Sequence, residues 1–199
     1  NGAGAGPLRN FYFTHINTWP DDAYRMVYTS NHDQNAWDGV ASEIYGEAYE
    51  AAIVFSFVAE GLPLIYNGQE ADLDHQLEFF EKDEIIWREG RYEGLFTQLI
   101  ALKTKTQSLW NGAAGAPMGM VPNSSEEHVF SFVRRGEADT IFAVFNFSNE
   151  PQDVNFEHGR HFGNYLDAMS GEEISFGSDT VLNLGPWEYR VFLAEGSDL

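Results

Sequence analysis

The chain has 199 residues, 43% of them hydrophobic and 15% aromatic, enough apolar material for one or two compact cores and far from the disordered class. Its formal charge of −20, from 31 acidic against 11 basic residues, argues against nucleic acid and anionic membrane surfaces as partners, because both would be repelled. The absence of cysteine removes disulfides, thiolate metal sites and a cysteine nucleophile, and no apolar run approaches the ~20 residues that span a bilayer.

Lysine is confined to Lys82, Lys103 and Lys105. An acidic, lysine-poor surface suits concentrated salt, where repulsion between like charges is screened within about 3 Å at 1 M. An ordinary acidic enzyme is the competing explanation.

In chain order, Asn1-Gly-Ala-Gly-Ala-Gly-Pro7 has neither an initiator Met nor a signal-like apolar region, and residues 1–24 read as a linker or the remnant of a preceding segment. Phe11 to Ile16 is ambiguous between a short strand and a helix remnant. The first clear strand runs from Arg25 to Thr29 and stops in the polar cluster Ser30-Asn-His-Asp33. Trp37-Asp-Gly39 reads as a loop, with Ser42 placed to cap the helix that follows. Ile44, Ala48, Ala51, Ala52, Phe55 and Ala59 recur at helical spacing as one buried face. Gly61 and Pro63 end that helix. A second strand, Leu62 to Tyr66, is nearly all apolar, as expected of a strand covered on both faces, and stops in a second polar cluster, Asn67-Gly-Gln-Glu70.

Asp72 to Trp87 is irregular and reads as a loop. Tyr92 to Trp110 returns to helical period, with Leu95, Phe96, Leu99, Ile100 and Leu102 on the buried side and Asn111-Gly112 as the stop. Ala113 to Met120 is rich in Gly, Ala and Pro and reads as a domain boundary that lets the remainder fold by itself. From Val121 onward, short β runs alternate with turn formers: 128–134, 140–147, 153–156, 172–176, 180–184 and 189–194. Strands at this spacing with no helix between them predict an antiparallel sandwich.

Strand, polar tip, helix, strand, polar tip is the order of a parallel βα-barrel, whose functional groups sit at the C-terminal ends of strands. The expected fold is α/β plus all-β: the last βα units of a (β/α)8 TIM barrel in residues 25–112, then a β-sandwich in 121–199. Asp33 and His32, adjacent at a tip, can reach neighbouring hydroxyls of one sugar ring, contacts that strengthen as positive charge builds at the anomeric carbon. The competing reading makes Asp33 a local cap and His32 a core histidine. Trp37 and Tyr66 lie just past the tips, where an aromatic face can stack on a sugar or simply pack. Gly68, Gln69 and Glu70 read as structural. No histidine has metal-ligand partners at zinc spacing, and Asp72, Asp74 and His75 lack the pattern of a calcium loop.

Ser30-Asn-His-Asp33 and Gly61-Leu-Pro-Leu-Ile-Tyr-Asn-Gly-Gln-Glu70 resemble, in order, the seventh- and eighth-strand signatures of the α-amylase family of glycoside hydrolases. Phe79-Phe-Glu-Lys-Asp83 with Ile86-Trp87, Leu99-Ile-Ala-Leu-Lys103 and the β-rich tail are similar to that family's following loop, eighth helix and C-terminal sandwich. The resemblance implies that Asp33 is the transition-state-stabilising carboxylate and that His32, with Asn31, Trp37 and Tyr66, contacts an α-glucan. It also implies retaining hydrolysis of starch-like substrates through two further carboxyl groups about 5–5.5 Å apart. The family's Gly-x-Arg-x-Asp context for the nucleophile and its acid/base Glu context do not occur in the chain. The expectation is therefore a C-terminal portion, inactive alone, whose partners are an α-glucan, the N-terminal part of the barrel and a second copy meeting it through exposed strands. A non-catalytic carbohydrate-binding module is the alternative. No cofactor is implied in these residues, calcium belonging to the full-length family enzyme. Family members are often secreted or periplasmic.

Overall fold

The computed structural model describes residues 4–15, 18–20 and 22–197; Ile16 and the ends of the predicted linker and sandwich lie outside that set. The opening segment is not a linker over its described length. Pro7 sits in the first turn of helix α1 (Gly6–Asn10), which its fixed φ favours, and a π-helical turn, Phe11–His15, continues it. Tyr12 is buried, its ring edge-on to Phe55 and Phe130.

Strands β1 (Met26–Tyr28) and β2 (Leu62–Leu64) pair in parallel, Met26 opposite Leu62 and Tyr28 opposite Leu64. Gly61 permits this approach: at φ 144° its Cβ would lie 2.6 Å from Val27 Cγ1. β2 is not covered on both faces as its apolar sequence predicts, for Leu62 is exposed, as are Met26 and Tyr28 on β1. This pair is the whole parallel sheet among the described residues.

Between β1 and β2 the single predicted helix is three: α2 (His32–Trp37), α3 (Ala41–Tyr45) and α4 (Tyr49–Val58), with a 3-10 turn, Gly46–Ala48, before α4. Gly46 at φ 55° breaks the path, so Ile44 leaves the predicted buried face and is exposed. Ser42 caps nothing, because Val40 occupies the N-cap. From Tyr49 to Val58 only Glu50 and Ala52 escape full burial, as in a helix hydrophobic all round. Helix α5 (Glu93–Lys105) buries Phe96, Leu99 and Leu102, while Ile100 faces solvent. The helix ends at Thr106, whose backbone is extended, before the predicted stop.

The C-terminal half is a sandwich. One sheet has the order β3 (Met118–Met120), β4 (Val129–Arg135), β5 (Thr140–Asn146), β10 (Tyr189–Ala194), β7 (Gly163–Asp167), β8 (Glu173–Phe176); the other pairs β6 (Gln152–Asn155) with β9 (Val181–Leu184). β3 lies inside the stretch read as a boundary, and β7, with its polar Gly-Asn-Tyr-Leu-Asp sequence, escaped the sequence pattern. Both faces of the large sheet are buried. Phe130, Phe132, Ile141, Ala143, Phe145, Val191 and Leu193 share a core with α4 and α5. The alternate residues Val129, Val133, Phe142, Val144 and Phe192 pack with Val154, Leu182 and Leu184 of the small sheet, the period-two alternation of a strand. The sandwich is therefore continuous with the helical layer rather than independent.

Arg134 locks that junction. Buried at the end of β4, its guanidinium donates to the carbonyls of Ala116, Val58, Ala59 and Trp110 at 2.8–3.2 Å, satisfying oxygens that the end of α4 leaves unpaired. Lys103 Nζ adds bonds to the carbonyls of Phe57 and Leu109. Burial, with a smaller contribution from Arg134, pushes its ammonium down to about 7.

Candidate functional site

The parallel register brings the ends of β1 and β2 to one side, where the two polar clusters meet. Asn31 is extended, and its Oδ1 accepts from the backbone N–H groups of Asp33 (3.0 Å) and Gln34 (2.9 Å). Asn31 is thus the N-cap of α2, which commits its amide oxygen to structure. His32 and Asp33 stand in the first turn of that helix with side chains 71% and 62% exposed and their Nε2 and Oδ2 atoms 3.5 Å apart. His32 is therefore not a core histidine, and the capping role falls to Asn31 rather than Asp33. An open carboxylate beside an imidazole offers an acceptor and a donor to one ligand.

The irregular stretch from Asp72 to Tyr92 folds over α2. Asn35, almost wholly buried, donates from Nδ2 to the His75 carbonyl (3.2 Å) and accepts from Leu77 N–H (2.9 Å). That clamp sets Phe79 against Trp37 (5.3 Å) and His32 (6.1 Å). Trp37, 63% exposed, and Phe80, 82% exposed, leave an aromatic surface beside Asp33. Arg88 fixes the base of the loop through the Ala71 and Asp72 carbonyls and the Asp74 carboxylate. Hydrogen bonds from His75 and then Arg88 hold Asp74 below the usual carboxylate range; those from the Glu78 and Glu84 amides do the same for Asp83. Among the described residues, no group of three or more His, Asp or Glu side chains converges as a metal site would.

At the second tip, Gly68 adopts φ 91°, and a Cβ there would press on Ile85 and Leu73. Gln69 is buried, donating to Thr29 Oγ1 (2.9 Å) and Tyr49 Oη (2.7 Å) and accepting from Tyr66 N–H (2.6 Å). Glu70 Oε2 accepts from Gly68 N–H, closing its own turn. Tyr66 borders a cleft of about 250 Å³ with Ser30, Asn35, Tyr49 and Arg91, and partial burial raises its phenol pKa.

The family model described as Maltogenic Amylase, C-terminal domain, matches residues 120–191. The chain is 27% identical over 188 residues to α-amylase MalA of Haloarcula japonica, covering 91% of this chain and 26% of that protein. It is 22% identical over 182 residues to α-amylase 2 of Dictyoglomus thermophilum, covering 85% and 29%. Residues 120–191 thus match the C-terminal domain of maltogenic amylases, and most of the chain is similar to α-amylases.

Among solved structures, the maltogenic α-amylase AmyB from Thermotoga neapolitana superposes with a TM-score of 0.76 at 21% identity, over 95% of this chain and 44% of AmyB. AmyP in complex with maltose gives 0.72 at 16% identity, over 100% and 46%. The chain spans between a quarter and a third of the length of its two curated α-amylase relatives. Two residues that position the tip, Asn35 and Arg88, escape the sequence pattern. The signal for Asn35 was present, a second asparagine four residues after the capping Asn31. Nothing local distinguished Arg88.

Proposed function

We propose that the chain is the C-terminal portion of a retaining, α-glucan-active glycoside hydrolase. In this reading residues 25–112 are the seventh and eighth βα units of a (β/α)8 barrel, and the sandwich closes the barrel's end. Asp33 grips the sugar ring where cleavage occurs and stabilises its developing charge, His32 bonds the same ring, and Trp37 and Tyr66 flank it. The observation that carries the reading is the parallel β1–β2 register, which sets Asp33, exposed and beside His32, at the same end as the Asn67–Glu70 tip. AmyP, similar in fold, has been solved with maltose and with maltotriose, which supports a malto-oligosaccharide as the ligand class. The nucleophile and acid/base carboxyls belong to the N-terminal part of the barrel, so the chain alone is inactive.

The test is reducing-sugar release from soluble starch and maltoheptaose by the purified chain, in low and molar salt, beside Asp33→Asn. The expected result is no release above that control. Release that vanishes with Asp33→Asn would overturn the portion reading. A non-catalytic carbohydrate-binding module is the second reading, favoured by the open Asp33, His32 and Trp37 surface; it predicts maltoheptaose binding by a protein that stays inactive when joined to the rest of a barrel.

A further inference from the structure

A second cleft, of about 790 Å³, opens at the opposite end of the strands. It is walled by Trp19 and Arg25 ahead of β1, Glu60 ahead of β2, Trp110 and Asn111 after α5, and Arg160 from the sandwich. Because Arg25 and Glu60 precede their parallel strands while Asp33 and Glu70 follow them, this cleft and the Asp33 tip lie at opposite strand ends. We propose that it is a second, non-catalytic binding site for an α-glucan chain.

Three features support this. The first is an aromatic pair left in solvent: Trp19 is 56% exposed and Trp110 42%. The Trp110 indole is pinned, Nε1 donating to the Thr104 carbonyl at 3.1 Å, so stacking a pyranose face on it orders little that is not already ordered. The second is a charged fork beside the rings, Arg25 Nη2 to Glu60 Oε2 at 3.3 Å, with both side chains about four-fifths buried. Glu60 Oε1 already accepts from the Met118 N–H, so the fork offers chiefly the remaining guanidinium donors of Arg25, which vicinal hydroxyls can bridge. The third is Asn111 Oδ1, buried and accepting no hydrogen bond from any described residue. An orphaned acceptor is uncommon in a folded protein, and a ligand hydroxyl would satisfy it. Apolar faces with a few convergent polar groups characterise a small-ligand site, and a neutral polyol has both without meeting repulsion from a chain of charge −20.

The choice of an α-glucan rests on the function proposed above; the existence of a sugar site in the cleft does not. The experiment is calorimetric titration of maltoheptaose into the chain, into Trp19→Ala, into Arg25→Gln, and into a double variant, Asp33→Asn with Trp37→Ala. Cellohexaose serves as the second probe. Trp19 is exposed, so its removal leaves the fold intact. The expected result is that binding persists in the double variant and weakens about tenfold in Trp19→Ala, the scale of truncating one well-packed aromatic contact, with a parallel loss in Arg25→Gln. Binding abolished by the double variant and untouched by Trp19→Ala and Arg25→Gln would overturn the cleft and leave the proposed function standing. Equal binding of cellohexaose, lost with Trp19→Ala, would keep the cleft and count against α-glucan as its ligand. No measurable binding of either probe would overturn the cleft outright.

Discussion

Gln69 donates to Thr29 at 2.9 Å, a buried bond that ties the end of β2 to the end of β1. The same amide reaches Tyr49 on α4 and, through its oxygen, the Tyr66 N–H, so one side chain sets the spacing of both polar tips. Replacing it with leucine orphans the partly buried Tyr66 N–H and removes two buried side-chain bonds. Gln69→Leu should cost about 2–3 kcal/mol, since a buried group left unpaired costs roughly 1–3, read as a lower urea midpoint. In a double-mutant cycle, Tyr49→Phe should cost less in the Gln69→Leu background than alone. Additive costs would show that the two side chains do not cooperate.

Arg134 is the counterpart at the junction. Its guanidinium ties three separate pieces of chain, the end of α4, Trp110 after α5 and the approach to β3, to the strand β4 from which it projects. A lysine has neither the fork nor the reach to replace it. Arg134→Met should destabilise by about 3–5 kcal/mol, the range for removing one member of a buried polar network, and should split one thermal transition into two as the sandwich separates from the helical layer. A single transition at wild-type temperature would show that the junction is held by the apolar core alone.

How much of this was legible beforehand follows from the range of each interaction. Strand periodicity and turn residues are local, so β4, β5, β6, β8, β9 and β10 all appear within a few residues of where the pattern puts them. β7 does not, because Gly163-Asn-Tyr-Leu-Asp167 takes its strand state from its neighbours β10 and β8 rather than from its own composition. Ile44 failed as a core residue through the break at Gly46, and Ser42 failed as a cap because the helix already begins after Val40. The tips at Asp33 and Glu70 were readable as abrupt changes from apolar to polar. The clamps that position them, Asn35 on His75 and Arg88 on Asp74, join residues 40 and 14 positions apart, and no local signal carries such a pairing.

His161 gives the molecule an acid sensitivity. Its ring is fully buried among Phe142, Phe156, Phe162 and Phe176, and neither nitrogen has a hydrogen-bond partner among the described residues. Burial lowers its pKa below the usual 6.5. The folded state therefore binds this proton less readily than the unfolded one. The stabilisation is fully present above the unfolded value and is lost as pH falls through it towards the folded value. Lowering the pH from about 7 to about 5 should reduce Tm, and His161→Phe should remove that component. An identical pH slope in the variant would assign the sensitivity to other groups.

The charge of −20 predicts a salt response. Self-repulsion destabilises the compact state and is screened within about 3 Å at 1 M salt. Tm should rise steeply from low to molar KCl or NaCl. A flat curve would mean that the acidic surface is adapted to something other than concentrated salt.

The outer edges of β1 and β2 have no strand partner among the described residues, and Met26, Tyr28 and Leu62 are exposed beside them at 59%, 39% and 43%. Unpaired parallel edges carrying apolar side chains are templates for further strands. On the reading proposed above, the N-terminal part of the barrel supplies that strand; for this chain by itself the nearest equivalent is a second copy. The chain should therefore sediment heavier than a monomer at high micromolar concentration. Met26→Lys, which sets a charge on the edge without touching the buried face, should return it towards the monomer. A strictly monomeric profile for the unmodified chain would show that the exposed edge is protected by the twist and shortness of the strands themselves.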